Sequence, residues 1–259
     1  MNIILYNIIM ILIIYCLIIL VIILLIKNII IDGFNATQDI KISVIILNYN
    51  RPHNIRKLVE RLIEYKKVGE IIISHGKKDT EVLINNPKVI NETYIRNKYY
   101  SMARFYVAKQ AKYDLILYLD DDILISEDEL NKLINNAVIN GYNNLYGPVK
   151  RKCSIKGYYT NWVGDSDNLI VLTKIGLISK KTSLEVLNLM EKNKNIYDLV
   201  LENKGNGEDI LFATTLTKNN LGKNIYVNIN YTDLDGSNGY SSKTDHYIKR
   251  TELCKLIYK

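Results

Sequence analysis

Three consecutive aspartates, Asp120, Asp121 and Asp122, follow directly on the apolar run Leu115-Ile-Leu-Tyr-Leu119. Five apolar residues in a row predict a strand buried on both faces, as in a parallel sheet. Carboxylates crowded where such a strand ends repel one another unless a cation sits among them. Oxygen-only donors select a hard divalent ion, Mn2+ or Mg2+. Ligands of open α/β sheets bind at the carboxyl ends of the strands. The run therefore predicts a metal-dependent site for a phosphorylated ligand. The plainer reading is a polar loop entering a helix, and Ser126 with Glu129 does have the form of a capping box. That accounts for Ser126-Glu-Asp-Glu129 but not for the three aspartates before it.

Four more groups have the right chemistry to join such a site. Asn50-Arg51 ends an earlier apolar run, Ile42–Leu47, and Pro52 stops that strand. Arg104 lies on a helix predicted over Lys98–Ala111, either reaching the ligand or solvated. Asn206-Gly-Glu-Asp209 puts two carboxylates, Glu208 and Asp209, at a predicted helix start; the helix dipole alone favours acids there, and a second acidic site is the functional alternative. Near the C-terminus, Arg250 is either a bidentate phosphate ligand or a cation near a helix end. His246 is a metal ligand or plain polar surface.

Strands and helices that alternate from Ile42 to Asn143 predict an α/β fold with a parallel sheet and helices on both faces. Apolar spacing at Ile55, Leu58, Val59, Leu62 and Ile63 marks one helical face, and Glu70–Ser74 reads as the second strand. After Gly147-Pro148 the pattern becomes mixed. Short strands are expected at Tyr158–Trp162, Leu169–Thr173 and Asn224–Asn228. Helices are expected near Ser183–Glu191, Ile196–Asn203, from Asn206 to Thr217 and over Asp245–Tyr258, with a polar loop at Asp233–Ser242. Both early strand ends should open on one sheet edge, where a nucleotide fits.

The first segment is of a different kind. No charged residue occurs from Ile3 to Ile26, a span of 24 residues, against the roughly 20 that a membrane-crossing helix needs. It lacks the basic start and small-residue cleavage site of a signal peptide. The organisation expected is a membrane anchor over 1–31, a short stem over 32–40 and one catalytic domain over 41–259. Lys27 alone says little about orientation and weakly favours a cytosolic catalytic domain. The net charge of +7 suits phosphates or an acidic acceptor, but no segment clusters Lys and Arg as nucleic-acid binding requires. Three cysteines give no disulfide framework; Cys153 and Cys254 could pair only in an oxidising compartment. The sequons at Asn35, Asn91 and Asn230 are no more than this asparagine content yields by chance.

The ordered set of motifs resembles the metal-dependent GT-A glycosyltransferases, and most of all the C-terminal catalytic domain of the exostosin family, glycosyltransferase family 64. Carrying the resemblance are Tyr49-Asn-Arg51, Arg104, Leu117-Tyr-Leu-Asp-Asp-Asp-Ile-Leu-Ile-Ser126, Gly147-Pro-Val-Lys-Arg151, Asn206-Gly-Glu-Asp209, and Gly239-Tyr-Ser241 with Arg250. They span about Lys41 to Tyr258. The resemblance implies a Rossmann-like mixed sheet, a membrane-anchored enzyme with its catalytic domain luminal in the ER or Golgi, a UDP-sugar donor with HexNAc as the expected sugar, Mn2+ or Mg2+ as cofactor, a glycan or glycoprotein acceptor, and retention of anomeric configuration.

It further implies that Asn50, Arg51, Arg104, Asp120, Asp121 and Asn206 surround the donor, and that Asp122 binds the metal with Asp120 beside it. Asp209 would sit by the anomeric carbon with Glu208 next to it, and Arg250 would bind the diphosphate. Asp121 has the weakest case of the three aspartates, its alternative being a residue that only shapes the turn. Two departures stand out. Gly207 and Glu208 replace the family's cysteine and aspartate, which leaves Cys254 without the family's disulfide partner, and Ser74-His-Gly76 replaces a tryptophan-asparagine loop. An inverting transferase of the family 2 kind, a nucleotidyltransferase, and a non-catalytic carbohydrate-binding membrane protein are the alternatives.

Overall fold

The computed structural model describes residues 10–24, 40–93, 95–160, 168–234 and 244–259. It forms two compact units, Met1–Ile40 and Lys41–Lys259. In the first, residues 10–24 are a helix, α1, whose apolar side chains are exposed. No helix among the described residues is long and apolar enough to cross a membrane. Residues 3–9 and 25–26 of the apolar run lie outside the described residues, as do Asn35, Trp162 and Gly239-Tyr-Ser241.

The second unit begins with β1 (Ile42–Asn48), α2 (Pro52–Leu62), β2 (Val68–His75), β3 (Val89–Glu92), α3 (Arg96–Tyr99) and α4 (Ala103–Val107). It continues with β4 (Leu115–Asp120), β5 (Ile123–Leu124), α5 (Glu127–Asn140), β6 (Leu145–Gly147), β7 (Lys150–Ser154), β8 (Gly157–Tyr159), β9 (Leu169–Val171) and β10 (Ile175–Ser179). It closes with α6 (Lys180–Lys192), α7 (Lys194–Glu202), α8 (Glu208–Lys218), β11 (Asn224–Tyr226), β12 (Thr232–Asp233) and α9 (His246–Ile257).

Among the described residues the main sheet has seven strands in the order β11-β6-β10-β4-β1-β2-β3. β1 runs parallel to both β2 and β4, and β10 runs antiparallel to β4 and β6. The sheet is therefore mixed rather than parallel, as the resemblance to GT-A enzymes implied. Leu47 of β1 lies level with Asp120 of β4, so Arg51 and the aspartates leave the same sheet edge. Successive strand residues point to opposite faces. Ile45, Ile72, Ile116, Tyr118 and Ile178 enter one buried cluster with side chains of α4, α6 and α8. α2 packs on β2, and α5 on β6 and β10, with buried Ile55, Leu58, Leu62, Leu130, Leu133 and Ile134 outside that cluster. β7, β8 and β9 form a separate antiparallel sheet, against which α9 packs.

The structure departs from the sequence reading in several places. The single helix expected over Lys98–Ala111 is broken into α3, α4 and short 3-10 turns. Tyr100 takes φ +51, a left-handed conformation that interrupts the ladder. β3, β6, β7 and β10 were not read as strands. They are three to five residues long or interrupted by glycine, too short for periodicity to show. Cys254, left without the family's disulfide partner, is bonded instead to Cys153, the pairing that the sequence leaves open, with Cα atoms 5.3 Å apart.

Candidate active site

An aromatic cluster sets the spacing of the site. Phe105 of α4 stacks on Phe212 of α8 with ring centroids 4.4 Å apart and meets Tyr118 of β4 edge-on at 5.4 Å. Each ring is fixed in the core, and each lies within three residues of a charged group: Arg104, Asp120 and Asp209. Burying these rings therefore brings together polar groups that lie far apart in the sequence. Local turns finish the placement. Gly207 caps α8 at φ +100, and a Cβ there would lie 2.4 Å from Leu253 Cδ2; glycine alone takes that conformation without strain. Ser126 caps α5 by accepting from the Glu129 amide at 3.3 Å. Glu129 does not complete a capping box; its Oε1 accepts from Lys132 and Asn230.

Arg104 is 5% exposed, which rules out the solvated alternative. Its Nη2 donates to Asp120 Oδ1 at 2.8 Å and lies 3.7 Å from Glu208 Oε1. Its Nη1 donates to the Thr173 carbonyl at 2.9 Å. One guanidinium thus ties the end of β4 to the start of α8. Arg51 donates to Asp121 and lies 3.4 Å from Asp122 Oδ2. Arg250 Nη2 meets both oxygens of Asp209 at 2.7 Å. Lys174 lies 4.0 Å from Asp122 Oδ1 and 3.3 Å from Asp233. Asn50 stands apart from this network; it is exposed and accepts from Lys77 at 2.8 Å. Asn206 donates to the His246 carbonyl at 3.4 Å.

Burial and crowding leave their mark on the titrating groups. Burial pushes the Asp121 carboxyl up to about 6, against the pull of Arg51. Glu208 is also raised, first by burial and then by Asp209 beside it, with Arg104 and Arg250 opposing. Burial opposes the charge on Arg250, but Asp209, Tyr158 and Glu208 outweigh it and hold the guanidinium protonated. His246 is half-buried rather than surface, and its pKa is lowered by burial and by Arg250.

The sequence profile of the glycosyl transferase family 64 domain matches residues 42–258. The chain belongs to glycosyltransferase family 64. Two solved structures are similar to this family 64 chain over part of their length. One is the mannosyltransferase PcManGT from Pyrobaculum calidifontis, in complex with GDP-Man and Mn2+; it is 12% identical, with a TM-score of 0.43, over 72% of this chain and 55% of that one. The other is the glycosyltransferase GlyE of Streptococcus pneumoniae TIGR4, 17% identical with a TM-score of 0.42, over 72% of this chain and 45% of that one. This chain thus covers about half the length of either protein. No curated protein sequence matches it.

Within the site, Asp122 Oδ1 is buried and has no hydrogen-bond partner. An orphaned carboxylate oxygen costs about 1–3 kcal/mol or more unless something binds it, so the donor set fits a hard divalent ion. No three His, Cys, Asp or Glu side chains gather closely enough to hold one among the described residues. Two carboxylates suffice where substrate phosphates and water complete the shell. Sequence reasoning missed Lys174, Thr173 and Tyr158. The first two form the only polar pair within the apolar stretch Leu169–Ile178, a signal that the unread strand β10 obscured.

Proposed function

We propose that this family 64 member is a membrane-anchored, metal-dependent, exostosin-like transferase. It moves HexNAc from a UDP-sugar to a glycan or glycoprotein acceptor with retention of configuration. The observation that carries this reading is Arg104, which joins Asp120 on one half of the chain to Glu208 on the other. Breaking a sugar–diphosphate bond builds negative charge on the leaving phosphate and positive charge on the sugar, and a site that mixes cations and carboxylates at one edge serves both ends.

Asp122, with Asp120 beside it, would hold Mn2+ or Mg2+, which when bound neutralises the leaving diphosphate. Arg250 faces that charge too. Its Nη2 holds Asp209 while its buried Nε has no partner, leaving a donor for a phosphate oxygen. Asp209 lies against the developing oxocarbenium character of the sugar, and Glu208 and Arg104 fix its surroundings. Asn206 Oδ1 is likewise buried without a partner, which suits a sugar hydroxyl. Arg51 leaves Asp121 and Asp122 to meet the nucleotide. The uncharged run Ile3–Ile26 supports the anchor, and the Cys153–Cys254 bond supports a luminal catalytic domain, since disulfides persist in oxidising compartments.

The test is to incubate the full chain with UDP-HexNAc, Mn2+ and simple glycan acceptors and to follow the product anomer by NMR. An α-linked product from an α-configured donor, lost on adding a chelator, is expected. A β-linked product would move the enzyme to the inverting class.

A further inference from the structure

The Cys153–Cys254 disulfide joins residues 101 apart in sequence, and both cysteines are fully buried. It anchors α9 to β7. Cys254 lies one helical turn after Arg250, so both face the same side of α9. That face reaches the site: Arg250 holds Asp209 from within the protein. Elsewhere α9 packs on β7 and β8 and buries Leu253 and Ile257 in the core, while around Arg250 itself its other contacts are close approaches and one long hydrogen bond. The Tyr158 ring lies 4.7 Å under the Arg250 guanidinium. Gly157 packs so near Thr251 that a Cβ would approach to 2.8 Å, and Gly207 packs on Leu253. Asn206 donates to the His246 carbonyl at a long 3.4 Å. A buried guanidinium is stable only while its partner geometry is kept, so whatever fixes the position of α9 also fixes the pair.

We propose that the disulfide is the positioning element for Arg250, and that its redox state sets how well the site holds a diphosphate. This rests on the proposed role of Arg250 towards the donor. When the bond forms, the two thiols lose two protons and two electrons by exchange with a small-molecule disulfide, which departs as two thiols. The bonded form clamps α9 over Asp209. The reduced form frees α9 to move away from β7, and the Arg250 Nε donor loses its fixed position.

The full chain in detergent is prepared oxidised, reduced with dithiothreitol, and as Cys254→Ser. Three measurements avoid sugar transfer: non-reducing peptide mapping, hydrogen exchange, and calorimetric titration with inorganic pyrophosphate. The oxidised protein should yield the linked Cys153–Cys254 peptide. Reduction or Cys254→Ser should speed exchange in α9 by about tenfold or more while leaving β1 and β4 protected, because local opening precedes global unfolding. Pyrophosphate binding should weaken by about fivefold or more, roughly a 1 kcal/mol loss. In an Arg250→Lys background the affinity should no longer depend on redox state. Free thiols in the oxidised protein, unchanged α9 exchange and affinity, or acceleration spread equally over the whole domain would each overturn the proposal. If the shifts occur but the oxidised protein turns over no UDP-sugar, the positioning role stands and the transferase assignment of the donor falls.

Discussion

At the scale of single residues, Asp121 is the aspartate whose surroundings are most unlike those its sequence position suggests. The run alone leaves it a turn residue, yet it is 6% exposed and paired with Arg51. Its folded pKa of about 6 stands above the ordinary 3.8. A raised acid binds its proton more tightly in the folded state, so its contribution to stability is complete below about pH 4 and is lost as pH rises through about 6. The metal-free protein should therefore lose less urea resistance in Asp121→Asn than in wild type as pH is raised from 5 to 7; an equal loss in both would contradict this. Asp209 behaves differently. Removing it leaves Arg250 charged and buried, so Asp209→Ala should cost about 3–5 kcal/mol of stability, measurable by chemical denaturation. A near-neutral result would mean that the pair is solvated. The acids and Arg250 were legible from charge and position, but their pairing was not, because it depends on contacts between chain segments far apart in sequence.

At the scale of elements, the site depends on the rings behind it. Phe105, Tyr118 and Phe212 tie α4, β4 and α8 together. Phe212→Ala should cost about 3–5 kcal/mol and also lower activity in the remaining folded fraction, since α8 carries Glu208 and Asp209. A variant that lost stability but kept full turnover would separate the core from the site. Gly207→Ala should cost about 1–3 kcal/mol, as φ +100 strains any L side chain, and the thermal midpoint reads it. Helix starts such as Ser126 and long strands such as Ile42–Asn48 could be read from sequence because caps and apolar runs are local signals. β10 could not. It is a central antiparallel strand containing Gly176, and its place in the sheet depends on β4 and β6.

For the whole molecule, five carboxylates of the site, Asp120, Asp121, Asp122, Glu208 and Asp209, are met by Arg51, Arg104, Arg250 and Lys174 among the described residues. With all five ionised one negative charge is left over, so the cluster can accept a divalent cation and, once it is bound, an anionic diphosphate. The overall charge of +7 adds a long-range attraction to anionic donors that salt screens within about 8–10 Å. Raising ionic strength should therefore increase KM for a UDP-sugar more than it lowers kcat; a kcat effect alone would point to the acceptor step instead. The fold class was legible because the first half of the chain alternates apolar strands with amphipathic helices. The second half was less so, since its short strands pair with partners far away in sequence. The decisive measurement is UDP-sugar turnover by the full chain with Mn2+, compared in wild type, Asp122→Ala and Asp209→Ala proteins whose folding is checked by circular dichroism. The expected result is metal-dependent turnover in wild type and a loss of about a thousandfold or more in each folded variant. Full activity in both variants would contradict the assignment of the site.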